Sequence, residues 1–256
     1  MEMQRVDAGR GIAWLTEAVQ LLLANPAPFA LMGLIVGAIA MVPLAGTLVL
    51  AIAGPALYGG MMLAAAGQQS GRPPEVGQLF AAFQQPGKAG PMLVLCLPAV
   101  LAGVIVLALG VVLMGSALVA AGVGASIKAD ALAGLSLGGG FLLFLLVALA
   151  VGLVSWASVF FATPRVMLDG IEPMRAIRES LAASAANWTA LLLFAVCLMA
   201  LTLVLGLLLG WIPVLGPLAM TTVLSPIYAA GAFLAYREVF AGAAPIAPPP
   251  SPATGN

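Results

Sequence analysis

The chain contains no histidine and two cysteines, and only nine basic and nine acidic side chains among 256 residues. Each scarcity excludes something. Charged residues make up 7% of the chain, against roughly 25% in a soluble domain. So few charges cannot cover a globule of this size with a wettable surface, so the solvent for most of the chain is lipid. With no histidine, and with Cys96 and Cys197 both inside apolar runs, the ligand clusters that zinc or a redox metal needs are missing, and no cofactor is expected. The usual base for a serine nucleophile is missing too. Ser116, Ser155 and Ser158 are therefore read as structural, and no enzymatic activity is expected. Pairing of the two cysteines stays open. Net charge is zero and there is no basic block, so nucleic acid is not an expected partner.

What the chain does have is long apolar runs. Residues 26–66 carry no charge at all. As one helix those 41 residues would be roughly 60 Å long, twice a hydrocarbon core of about 30 Å. The run must fold back, and MVPLAG (41–46) supplies a proline–glycine break. This predicts spans at 26–42 and 46–66. Further apolar runs predict spans near 91–116, 140–162, 189–210 and 214–236, the last two joined by the turn WIPVLGP. Between the third and fourth lies a small-residue segment holding Lys128, Asp130 and the Gly138–Gly139–Gly140 run.

The expected fold class is thus all-α: a polytopic membrane bundle of six transmembrane helices forming one domain over 1–240, with a disordered proline-rich tail at 241–256. Arg5 and Arg10 are followed by Glu17 and Gln20, which argues against a cleaved signal peptide. With six spans, eight of nine basic residues fall on one side and only Lys128 on the other, so both termini are expected in the cytoplasm.

The two ends of the chain resemble each other. Glu17 stands eight residues before Asn25, and Glu179 eight before Asn187. Each asparagine starts a span, and each span ends in a proline turn, VPLAG or IPVLG. The unit is a short helix followed by a hairpin of spans. Both copies start on the same side, so the expected repeat is parallel: 10–66 and 172–236, with a middle hairpin at 75–162. Three amphipathic helices are expected to lie along the interface, apolar stripe downward: Ile12, Leu15, Val19 and Leu22; Val76, Leu79, Phe80 and Phe83, after Pro74; and Met174, Ile177, Leu181 and Trp188. Asn25 and Asn187 are expected to cap the helices that follow them.

The stretch TPRVMLDGIEPMRAIRESLAASAANW (163–188) carries six of the eighteen charges. Arg165, Arg175 and Arg178 are the candidate lipid- or partner-binding residues, weighed against a solvated face that sets topology. Gly33/Gly37 and Gly206/Gly210 fit helix packing within the chain better than a dimer face. Thr202, Thr221, Thr222 and Ser225 offer a polar path, or hydroxyls bonded back to their own helices. The absence of any charge within the spans argues against ion-coupled transport.

VDAGRGIAWLTEAV near the start, the G-x-x-P-x-x-A-I pattern from Gly170 leading to Asn187–Trp188, and the ending PIYAAGAFLAYREVF resemble a family of multi-pass proteobacterial inner-membrane proteins without an assigned activity. More loosely they are similar to YciC-like proteins and to the membrane domain attached to some glycerophosphodiester phosphodiesterases. The resemblance implies a helical multi-span domain in a bacterial inner membrane; membrane lipid and a membrane-protein partner are expected from the charged face that carries Arg165, Arg175 and Arg178. It implies no catalysis, because the phosphodiesterase domain has no counterpart here.

Overall fold

A computed structural model describes residues 3–123 and 127–241, with side-chain surroundings described outside 113–138. Every regular element among them is helical: α1 (Arg10–Ala24), α2 (Pro26–Ala40), α3 (Ala45–Gln69), a 3-10 turn (Val76–Phe80) running into α4 (Ala81–Gln84), α5 (Ala89–Val94), α6 (Leu97–Val123), α7 (Ile127–Phe160), α8 (Ala162–Asp169), α9 (Pro173–Ala186), α10 (Trp188–Leu209) and α11 (Leu215–Ala241). The proline-rich tail lies outside the described residues.

Five segments are long and apolar enough to cross a membrane, and six if the bent pair α1–α2 counts as one. The expected span at 26–42 is the one that does not stand alone. As α2 it has 15 residues, about 22 Å of helix, and it meets α1 at 109°. The spans expected at 46–66, 189–210 and 214–236 correspond to α3, α10 and α11. The small-residue segment before the fourth span is helical from Ile127 onward, because α7 runs straight through the glycine run. The side chains of Lys128 and Asp130 lie outside the described residues.

The helices α3 and α11 form the centre. About half of each is buried, whereas only 6–11% of the apolar stretches of α6, α7 and α10 is. The centre closes through glycine. A Cβ at Gly33 of α2 would lie 2.2 Å from the Thr222 carbonyl oxygen of α11, and one at Gly60 of α3 would lie 2.3 Å from the Gln78 carbonyl. Without side chains there, the backbones touch and dispersion contacts replace the missing hydrophobic force between helices in lipid. Gly33 and Gly37 therefore pack within the chain. Gly206 does not: its nearest neighbour is the flexible Met220 Cε at 3.7 Å.

The two proline turns share one backbone design. Leu44 and Val214 have positive φ, 59° and 65°. Around them the amides of Ala45 and Leu215 donate to the carbonyls of Pro43 and Pro213, and those of Gly46 and Gly216 to Val42 and Ile212. The tight i to i+2 bond closes a γ-turn of the strained, positive-φ kind. A Cβ at Gly46 or Gly216 would meet the Ile39 or Leu209 carbonyl at 1.9 or 2.0 Å, so glycine is required there.

Each of the three segments expected to be amphipathic packs on the second helix of a hairpin: Val76–Gln84 on α3, α9 on α7, and α1 on α11. The faces they bury differ from the expected stripes. On α1 the buried face is Gly11, Trp14, Ala18 and Leu22, while Ile12 is exposed. Ala81, Ala82 and Leu79 are buried, while Phe80 and Phe83 are exposed. On α9 the inward face is Pro173, Ala176, Ser180, Ala183 and Ser184; Met174, Leu181 and Trp188 point out. Small residues go inward to permit close contact, and the large apolar ones are left to face outward.

Candidate functional site

Most charged residues of the described chain gather where α3 and α11 end. The last full turn of α11 ties this layer together. The Tyr236 hydroxyl donates to Asp169 Oδ1 at 2.6 Å. Arg237 donates to Gln69 Oε1 at the end of α3. Glu238 accepts from Arg10 Nε at 2.8 Å and from the indole of Trp14 at 2.8 Å. Phe240 lies under the Arg165 guanidinium, whose carbon is 4.8 Å from the ring centroid. Four residues of one helix thus fix α8, α3 and α1 in place, each by a charge-assisted or aromatic contact.

Arg165, the first candidate binding residue, faces inward and is only 4% exposed. It pairs with Asp169 and Glu179, both at 2.5 Å. Its charge is used inside the protein. Arg175 is exposed and pairs with Glu179 at 2.8 Å. Arg178 is exposed, and its guanidinium lies near the Met174 carbonyl one turn back on its own helix. The three arginines do not share a face: one holds α8 to α9, and two remain outward.

Burial alone would raise the Glu179 carboxyl, but hydrogen bonds from Arg165 and Arg175, and their charges, outweigh it and hold the group below the usual glutamate range. A carboxylate with a depressed folded pKa contributes stability above its unfolded pKa of about 4.3, and that stability is lost as pH falls through the folded value. Thermal melts in detergent are expected to lose midpoint as pH drops below about 5, and Glu179→Gln should flatten that acid limb. An identical acid slope in the variant would assign the loss to other groups.

Neither asparagine caps a helix with its side chain. Asn25 is exposed at the α1–α2 bend. Asn187 is 1% exposed and does something else. Its Oδ1 accepts from the Val6 amide at 2.8 Å, and its Nδ2 donates to the carbonyls of Gln4 and Ala183. The Gln4 amide donates to the Val239 carbonyl at 2.9 Å. Asn187 is thus a clamp on the N-terminal segment, at a position where α9 gives way to α10. Capping logic looks only forward along the chain, and the partner is 181 residues back. Asn187→Ala should cost about 2 kcal/mol, because buried backbone groups lose their partner. Amide exchange at Val6 should accelerate with it, and protected exchange there would refute the clamp.

Thr202, Thr221, Thr222 and Ser225 each donate to a carbonyl four residues back. They line no chain of hydroxyls handing hydrogen bonds across the bundle. Beside them a cavity of about 530 Å³ opens between α3, α10 and α11, lined by Tyr58, Leu198, Met220, Leu224 and Tyr228 as well. Tyr58 and Tyr228 meet edge to face behind it, with centroids 5.4 Å apart. A second cavity, of about 430 Å³, lies at the charged end between α3 and α11, lined by Ala66, Gln69, Ser70, Phe233 and Arg237. Cys96 and Cys197 are both free thiols.

Sequence reasoning missed the α11 cluster. Its signal was present: Tyr236, Arg237 and Glu238 are consecutive polar residues closing an otherwise apolar helix. The chain matches no family model, and no curated protein or solved structure is similar to it.

Proposed function

We propose that the protein is a non-enzymatic, multi-pass component of a bacterial inner membrane, with both termini in the cytoplasm, that acts as a scaffold, accessory subunit or assembly factor. The observation carrying this reading is the cross-braced charged layer at one end of the bundle. Tyr236, Arg237, Glu238 and Phe240 hold it rigid, while among the described residues the spans carry charged groups only at this end and none along their apolar middles for chemistry or ion coupling. A rigid polar platform on an inert apolar base suits docking. Its outward residues are Arg175 and Arg178, with Met174 and Leu181 beside them on α9. The resemblance to proteobacterial inner-membrane proteins supports the location.

The same reading makes the chain a parallel repeat with amphipathic interfacial helices. The matched γ-turns at Leu44 and Val214 support it. So does the recurrent packing of 76–84 on α3, α9 on α7 and α1 on α11, which suggests three copies arranged in a ring. Cysteine labelling at position 175 is expected from the cytoplasm and at 128 from the periplasm; labelling of both from one side refutes the topology. For function, purification of the full chain in mild detergent should recover a membrane-protein partner at stoichiometric level, and Arg175→Glu/Arg178→Glu should release it. Recovery of the protein alone overturns the scaffold reading.

The cavity between α3, α10 and α11 favours a second reading, a carrier for a lipid or small neutral solute. Its hydroxyls are bonded back to their helices, so an apolar cargo suits it better than a polar one. Retention of one acyl lipid that a bulky substitution at Thr221 abolishes would support that alternative.

A further inference from the structure

We propose that the cavity between the ends of α3 and α11 is a binding site for a phosphate group, held by Arg237, whose guanidinium Gln69 braces. This deepens the reading of the charged end as a binding surface and names its ligand. The argument starts from charge compensation. Arg10 and Arg165, the other arginines drawn into this layer, each have two carboxylate partners: Glu17 and Glu238, and Asp169 and Glu179. Arg237 is also half-buried, yet among the described residues it has no carboxylate partner and donates instead to the neutral Gln69 amide. A guanidinium withdrawn from water without a counter-charge is costly. The carboxyl end of α3 supplies only about half a negative charge, and it falls off within a turn.

The cavity provides room for the missing anion. It measures about 430 Å³ and is bordered by Arg237, Gln69 and Ser70 on its polar side and by Ala66 and Phe233 on its apolar side. Gln69 Oε1 accepts from Arg237 and steadies the guanidinium at the edge of this cavity. Arginine offers five donors in a planar fork, which matches the oxygens of a phosphate. Ser70 gives its proton to the Ala66 carbonyl, so it lines the polar side without donating to the anion. An apolar wall below a cationic fork suits a phosphate ester carrying an apolar chain. The chemistry recognised is the phosphate itself, borne either by an anionic lipid or by a soluble phosphate ester.

Delipidated full-length protein in mild detergent provides the test, with phosphatidylglycerol, phosphatidylcholine and sn-glycerol 3-phosphate as probes. Native mass spectrometry and thermal melts read binding. The wild type should retain one phosphatidylglycerol, and Arg237→Gln should weaken it at least tenfold, with the exposed Arg5→Gln unchanged. Arg237→Lys keeps the charge and the fold while losing the fork, and should fall between them. Stabilisation by glycerol phosphate equal to that by the lipid would make the soluble ester the ligand and still support the site. Equal retention of phosphatidylglycerol by Arg237→Gln and wild type overturns it, as does binding of no probe. Partner recovery from membranes is a separate readout, so failure of this site is distinguishable from failure of the scaffold reading.

Discussion

Arg165→Met is expected to lower unfolding free energy by about 3–5 kcal/mol, the cost of breaking a buried ion pair by removing one partner. Arg165 is nearly fully buried, with Asp169 and Glu179 both at 2.5 Å and Phe240 beneath it. Methionine fills much of the volume, so the loss is mainly electrostatic. It strands two carboxylates that are themselves only about a quarter exposed. Glu179 keeps Arg175 and Asp169 keeps the Tyr236 hydroxyl, which limits the damage to the middle of the network. The triple change Arg165→Met, Asp169→Asn, Glu179→Gln removes the stranded charges and should recover part of the loss. Denaturant titration in detergent checks both. An unchanged midpoint for the single variant would mean that Arg165 is not the keystone joining α8 to α9.

Gly33→Leu should cost about 3 kcal/mol, at the upper end of overpacking penalties. The first side-chain carbon would fall 2.2 Å from the Thr222 carbonyl oxygen and 2.9 Å from its Cα. No rotamer relieves a clash with backbone, so α2 must move off α11. Gly206→Leu provides the internal control. It introduces the same side chain into another G-x-x-x-G, where only the mobile Met220 Cε lies within reach at 3.7 Å, and its effect should stay within about 0.5 kcal/mol. If the two variants melt alike, the glycines act through helix propensity and not through contact.

The spans were legible because lipid imposes a length on apolar runs, and a proline with a glycine marks the tips at 41–46 and 211–217. Legibility failed for the faces. Stripe reasoning assumes that the large apolar residues turn inward, as they do when water lies outside. On α9 the small residues Ala176, Ser180 and Ala183 turn inward and permit close contact, and Met174 and Leu181 stay exposed beside Arg175 and Arg178, with Trp188 exposed at the start of α10. Ser180 shows the gain: its hydroxyl takes the Phe161 amide and donates to the Ala157 carbonyl. The candidate site was half legible. Charge density pointed to 163–188, but burial of Arg165 depends on Phe240, 75 positions onward, and the cavity beside Arg237 depends on Gln69, 168 positions back. Nothing local to either arginine distinguishes it from the exposed Arg178.

The clamp on the N-terminal segment also has a consequence in time. Gln4 is bonded to Val239, Val6 to Asn187, and α1 and α2 rest on α10 and α11. The first elements synthesised are therefore held by the last. At about 5–20 residues per second, the stretch from Gln4 to Val239 takes on the order of 10 to 50 seconds to emerge. Throughout that interval α1, with Trp14 and Leu22 on its future inner face, lacks its main native surface on α10 and α11 and has only its smaller contacts with α2 and α3. The short α2 cannot anchor it alone. In a nascent chain of this design the N-terminal helix stays open until α11 arrives, and its packing completes in a single late event.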